Sequence, residues 1–376
     1  MSAPASRTSR RKSVHPRYLH RRAAAALLTL VAATTLAACG SDSEEGSSEE
    51  GFGTISMQYS WIKNEEFAGE FYAEDKGYYE EAGFDAVNGI SGPDTGVAKL
   101  LSGKVQVAIN DAASVGSAIA EQEAPLKIIG ATFQKNPFTI LSLKDGGNIA
   151  TPADLKGKKI GVQDSNVNVF KAILAANGLE EKKDDITVVP VEFDPTPLMK
   201  GQVDGFMAYL TNESITVELA GHEVTNLPYA ENGVPYVAET YTVTDQYLAE
   251  NRDLLKALLT AEIKGWTETF KNPSDEVVKV VTTHYNQAAS DSDGLEASFG
   301  ELDPVKTKRG LEESQKLIST PETEKNGLFT ISDELQQQTV DSLAAAGWEV
   351  SVEDLFDTSI IDEIYEENPE LKDYQK

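Results

Sequence analysis

The sequence predicts an α/β chain of two lobes, each a mainly parallel sheet flanked by helices. Three observations carry the prediction. From residue 54 short β-like runs alternate with helical ones, and a βαβα rhythm builds a parallel sheet with helices on both faces. The rhythm restarts after Gly146-Gly147 with a second unit of similar size. Beyond Thr244 the chain is mostly helical.

Taken in order, residues 55–59 read as the first strand, their side chains alternating apolar and polar. A helix at 67–79 follows, stopped near Gly77 and Gly83, and a short one at 97–101 ends at Ser102-Gly103. The apolar run 105–109 reads as a buried strand. Asn110-Asp111 then stands where a cap starts a helix over 112–122. Stretches 126–131 and 138–143 are further strands. In the second unit a threonine-capped turn at 151–155 leads to a strand at 159–162 and a helix at 169–176, closed by Asn177-Gly178. A strand at 187–191, a short helix at 197–200 and a strand at 203–208 come next. A helix at 212–220, capped by Thr211 or Asn212 and ended by Gly221, precedes a last strand at 224–227. The tail shows helical periodicity over 245–270, a helix begun by Pro273, and helical stretches at 333–345 and 352–356. No short-period repeat of the solenoid kind is present.

The N-terminus reads as an export signal. Seven basic residues and no acidic one precede Cys39, and an apolar stretch from Ala23 to Leu36 ends in small residues. That stretch is too short to span a bilayer. Leu36-Ala37-Ala38-Cys39 resembles the lipobox of bacterial lipoproteins, which implies removal of 1–38 and lipidation of Cys39. The acidic, serine- and glycine-rich segment 39–52 cannot bury enough surface to offset its ordering entropy and reads as a flexible spacer. These features imply an extracytoplasmic domain anchored to the cell membrane by lipid.

Composition narrows the function. Without the seven basic residues before Cys39, 26 basic residues face 61 acidic ones, a net of −35. Nucleic acid is therefore excluded as a partner, and so are anionic lipid surfaces as binding sites. Cys39 is the only cysteine, so disulfides and thiolate metal sites are ruled out. His15 and His20 lie in the signal, and His222 and His284 lie on different elements. No metal site, no cofactor and no catalytic residue is expected: there is no nucleophile elbow and no phosphate-cradling glycine loop.

Three ordered motifs point further. They are Trp61-Ile-Lys-Asn64-Glu-Glu-Phe67-Ala-Gly69 with Tyr72-Ala73 and Lys76-Gly77-Tyr78-Tyr79, then Thr151-Pro-Ala-Asp-Leu-Lys-Gly-Lys-Lys-Ile-Gly161, then Gly201-Gln-Val-Asp-Gly-Phe-Met-Ala-Tyr209-Leu-Thr-Asn212-Glu213. Together they resemble the thiamine-precursor, or pyrimidine, binding group of the family that also holds nitrate, sulfonate and taurine binding proteins of ABC importers. The resemblance implies a periplasmic-binding-protein-like fold of type II. It implies residues 53–143 plus 243–376 as the first lobe with its C-terminal helices, and 144–242 as the second. It also implies a monomer that takes a small-molecule ligand to an ABC permease and is not an enzyme. Many pyrimidine-binding relatives carry histidine where this chain has Phe67. The fungal pyrimidine-synthesising relatives consume an active-site histidine and carry a cysteine-rich segment, and this chain has neither.

In open α/β sheets ligands bind beyond the carboxyl ends of strands. That rule and the motifs select Trp61, Asn64, Phe67, Asn110, Asp111, Gln163, Asn168, Tyr209, Asn212 and Glu213 as ligand-binding candidates. Aromatic faces would stack and amide and carboxylate groups would fix donors and acceptors. Asn110 and Asn212 fit helix caps equally, Trp61 and Phe67 fit a core, and Asp111 and Glu213 fit partners of a helix dipole. After the signal only Arg252 and Arg309 remain, both in the tail. An anion fork is thus not expected in the cleft. A neutral or weakly basic heterocycle with amino groups, donating to Glu213, suits these residues. A thiamine-precursor pyrimidine fits, with riboflavin, sulfonate or taurine, and nitrate-type solutes as alternatives.

Overall fold

The computed structural model describes residues 51–290 and 295–375. The signal, Cys39 and nearly all of the spacer lie outside the described residues. Among the described residues ten strands form two five-stranded sheets. The first holds β1 (Gly53–Gln58), β2 (Phe84–Ile90), β3 (Val107–Asn110), β4 (Leu126–Phe133) and β10 (Ala238–Thr244), in the order β2-β1-β3-β10-β4. The second holds β5 (Phe138–Leu143), β6 (Lys159–Val162), β7 (Thr187–Pro190), β8 (Gly205–Tyr209) and β9 (Val224–Pro228), in the order β7-β6-β8-β5-β9.

In each sheet four strands run one way and the fifth runs against them. The exception is always the strand that has crossed from the other lobe. β5 lies antiparallel between β8 and β9, and β10 lies antiparallel between β3 and β4. This corrects the expected lobe boundary. Residues 138–143 belong to the second sheet and 238–244 to the first, so the chain crosses between Phe133 and Phe138 and again between Pro228 and Ala238. Apolar patterning marks a buried strand but says nothing about which sheet it joins. The two crossings are tied together where Asn136 Nδ2 donates to the Val234 carbonyl at 3.0 Å. β2 was not legible at all. It is an edge strand with only Phe84 buried, and its Asn88-Gly89 pair imitates a turn.

The tail departs from expectation twice. The 245–270 pattern is two helices, Asp245–Glu250 and Arg252–Lys271, broken at Asn251. Nor does the tail keep to the first lobe. The Arg252–Lys271 helix packs on the Ala68–Asp75 helix of that lobe, yet the Pro304–Ile318 helix reaches the second, where Arg309 pairs with Glu218. The Asp333–Ala345 helix touches both the Ala112–Gln122 and Val167–Ala176 helices. One apolar core runs from Ile128 and Ala131 to Phe138, Ile140 and Phe170 across both sheets. Among the described residues no helix is long and apolar enough to cross a membrane.

Candidate functional site

The carboxyl ends of β1, β3, β6 and β8 converge on one cavity between the two sheets. Of the ten candidates, Trp61, Asn110, Asp111, Gln163, Tyr209, Asn212 and Glu213 line it. Each arrives for a local reason. Asp111 is the N-cap of the Ala112–Gln122 helix, accepting from Ser114 N at 2.9 Å and Ser114 Oγ at 2.7 Å. Asn110 is pinned to the sheet: its Oδ1 accepts from Thr240 and Thr242 hydroxyls at 2.7 and 2.8 Å, and its Nδ2 donates to the Thr95 carbonyl. It is therefore no helix cap. Gln163 donates to the Met207 carbonyl at 3.0 Å, locking β6 to β8. Glu213 accepts from Tyr209 N at 2.8 Å and from Asn212 Nδ2 at 3.3 Å, which holds the β8-to-helix turn. Asn212 occupies the cap position without a capping side-chain bond.

Three candidates do not line the cavity. Phe67 is fully buried and stacks on Tyr59 at 4.4 Å, because its short turn points it into the first-lobe core. Asn64 caps that turn, accepting from Glu66 N at 3.0 Å. Asn168 donates to Ser117 Oγ at 3.3 Å and joins the lobes beside the site.

Several lining residues escaped the sequence reading. Phe193, on an irregular loop after β7, meets Trp61 across the lobes with ring centroids 4.3 Å apart. Phe138 stands edge-on to Tyr209 at 4.5 Å. Glu66 lines the cavity from within the first motif, two residues beyond Asn64. Behind Ser60 and Tyr209 sits Glu239, a lone acid in an otherwise uncharged buried strand. That oddity in the pattern was its only signal.

The electrostatics are one-sided. Among the described residues no lysine, arginine or histidine lines the cavity, whereas Glu66, Asp94, Asp111 and Glu213 do. Burial pushes Glu66 well above the usual carboxylate range, and the neighbouring Glu239, Glu65 and Glu213 add to it. Burial also raises Glu213 and Asp111 against the pull of their N–H and hydroxyl donors. Glu65 is pushed up to about 7 by burial, with Lys306 pulling it back. Two polar atoms of the lining residues, Trp61 Nε1 and Glu66 Oε1, are buried without a hydrogen-bond partner. A buried donor and acceptor left open in this way cost free energy until something pairs with them. Among the described residues no group of His, Cys, Asp or Glu is arranged to hold a metal ion.

Comparison with known proteins adds four findings. Residues 64–276 match the family model described as NMT1/THI5 like. The chain is 26% identical over 236 residues to the riboflavin-binding protein RibY of Chloroflexus aurantiacus, a match covering 59% of this chain and 64% of that one, just under two thirds of its length. It is 24% identical over 259 residues to the formylaminopyrimidine-binding protein of Halalkalibacterium halodurans, covering 67% and 76%. The fold resembles the periplasmic aliphatic sulphonate binding protein SsuA of Escherichia coli, with a TM-score of 0.56 at 14% identity over 77% of this chain and 90% of that one. At that identity the likeness is one of fold.

Proposed function

This chain belongs to the NMT1/THI5-like family, and from that premise we propose that it is an extracytoplasmic solute-binding protein of an ABC importer. Its two lobes close around a small nitrogen heterocycle bearing amino groups, best a thiamine-precursor pyrimidine. It binds without catalysis, and lipid on Cys39 holds it at the membrane. The observation that carries the ligand class is an aromatic-walled, acidic cavity in which two lining residues, Trp61 and Glu66, each hold a buried polar atom without a partner. An aminopyrimidine presents the complementary set: ring nitrogens that accept, an exocyclic amine that donates, and a face that stacks.

The same lining argues against sulfonate or nitrate. An anion would use a helix N-terminus or an arginine fork. Here the start of the Ala112–Gln122 helix is occupied by Asp111 and that of the Glu213–Leu219 helix by Glu213, which leaves the start of the Val167–Ala176 helix without an acid. Arg252 and Arg309 are spent on Glu363 and Glu218. The ligand-accepting role also moves from Glu213 to Glu66, because both Glu213 oxygens already have protein partners.

Isothermal calorimetry with 4-aminopyrimidines, riboflavin and an alkanesulfonate tests this. The aminopyrimidines are expected to bind, and Glu66→Gln to weaken them by about tenfold, as a mismatched donor in a buried hydrogen bond does. Glu213→Gln is expected to cost less. Equal affinity for the Glu66→Gln protein would remove Glu66 from the role, and a panel with no binder would sink the heterocycle reading. The tether is tested separately by fractionation: Cys39→Ser is expected to release the protein from membranes, and retention would refute the anchor.

A further inference from the structure

We propose that Glu239 is a positioning residue that couples lobe closure to the state of the cleft, by holding both lobes from the crossing strand with one carboxyl group. The inference rests on the trapping reading only in supposing that the lobes move. Three observations on geometry support it. Glu239 lies on β10, the strand by which the chain returns from the second lobe to the first. Its Oε2 accepts from Ser60 Oγ at 2.8 Å, just beyond β1 of the first lobe. Its Oε1 accepts from Tyr209 OH at 3.4 Å, at the end of β8 of the second. Ser60 and Tyr209 both line the cavity, and Glu239 is only 1% exposed behind them.

The backbone marks the same residue. Glu239 has φ +47°, a left-handed conformation that a non-glycine residue adopts only where its surroundings enforce it. Such strain in a strand placed at the crossing suits a residue whose side chain, rather than its backbone preference, fixes the position.

The chemistry of the surroundings gives closure a pH sense. The titratable groups facing Glu239 are Glu66 from the turn before the Ala68–Asp75 helix, Glu70 within that helix, Asp111 at the start of the Ala112–Gln122 helix, and Tyr209. None is basic. Burial first, helped by Glu70 and Asp111, pushes Glu239 up to about 8, against the hydroxyls of Ser60 and Tyr209, whose hydrogen bonds favour the ionised form. The protonated carboxyl can still bridge the two hydroxyls, its carbonyl oxygen accepting from one and its own O–H donating to the other, without adding charge to an acidic neighbourhood. Once ionised, it repels that neighbourhood, and opening to water relieves it. Closure is therefore favoured below the raised value and lost as pH rises through it.

The test measures the distance between spin labels at Lys104 in the first lobe and Lys182 in the second, both exposed, in the full chain carrying Cys39→Ser and without ligand. In the parent protein the short-distance population is expected to fall several-fold between about pH 6 and about pH 9. Glu239→Gln, which keeps the shape and can still reach both hydroxyls but cannot ionise, is expected to show a clearly smaller fall, the remainder coming from Glu66. Tyr209→Phe, which removes only the hydroxyl, is expected to lower the closed population at the acidic end. A Gln variant that keeps the parent's pH response, or a Phe variant as closed as the parent, would overturn the proposal. A purely architectural Glu239 would leave that pH response unchanged in the Gln variant. Because no ligand is present, failure here leaves the binding reading standing, and a failed ligand panel leaves this one standing.

Discussion

Thermal unfolding is expected at a temperature lower by at least about 5 °C at pH 8 than at pH 5, the reverse of a protein whose stability rests on paired surface carboxylates. The cause is a set of carboxyls buried in the first lobe and beside the cleft. Burial is the largest influence on each. Glu65 and Glu70 are pushed up to about 7 and Glu239 to about 8, with Glu66 and Glu262 raised as well. In the unfolded chain these groups ionise near the ordinary glutamate value. Between that value and their raised ones the fold holds more protons than the unfolded chain, so stability falls as pH rises. The contribution is complete below the unfolded value and lost on passing through about 7 to 8. One carboxyl moved from 4.5 to about 7 accounts for about 3 kcal/mol, and the groups share their repulsion, so their effects do not add.

Surface acids act in the opposite sense but in another window. Asp154, Asp184 and Glu363 are held below the ordinary carboxylate range by hydrogen bonds from Thr151, Lys156 and Arg252 respectively. What they contribute is present above their unfolded values and disappears only at lower pH, so it is unchanged between pH 5 and 8. Maximum stability is accordingly expected near pH 5. Calorimetric melts at constant ionic strength from pH 4 to 9 check it. A flat or rising melting temperature from 5 to 8 would mean that these carboxyls are ionised in the fold. Glu262→Gln should flatten the slope, since it removes one of the groups while leaving an acceptor for Tyr79, whose hydroxyl donates to Glu262 at 2.6 Å.

How far the molecule was legible follows from what each signal encodes. Helix 112–122 and strand 138–143 were readable to the residue, because caps and apolar runs are local facts. The partners of strand 138–143 were not, since they are β8 and β9, strands of the second sheet formed far along the chain by residues 205–209 and 224–228. The four strand ends located the cavity, but strand-end logic could not separate Phe67, which the fold turns inward, from Trp61, which lines the cleft. Phe193 sits in a loop without periodicity, and only the meeting of the two lobes gives it a role. Scarcity of arginine was the most transferable observation. The two that remain are paired on the surface, and the cavity they leave is acidic.

Gly265→Ala is expected to destabilise the fold by about 2–4 kcal/mol, the combined cost of overpacking and of disturbed buried polar groups. The Ala68–Asp75 and Arg252–Lys271 helices touch through two glycines. A Cβ on Gly265 would lie 2.1 Å from the Gly69 carbonyl oxygen and 2.8 Å from Ala73 N. Both obstacles are backbone, so no rotamer change relieves them and the helices must separate. Separation would disturb Glu262 and Glu70, which lie on these same helices and take the hydroxyls of Tyr79 and Tyr241. The better helix propensity of alanine returns only about 1 kcal/mol. Gly69 provides the internal comparison. Its added Cβ would fall 2.2 Å from the ring of the fully buried Trp266, a side chain rather than backbone. Trimming that ring by Trp266→Leu should therefore relieve part of the cost of Gly69→Ala while doing nothing for Gly265→Ala. Urea unfolding of the three single and two double variants reads both cycles. Equal coupling of Trp266 to the two glycines would show that the crossing is governed by crowding in general and not by backbone contact at Gly265.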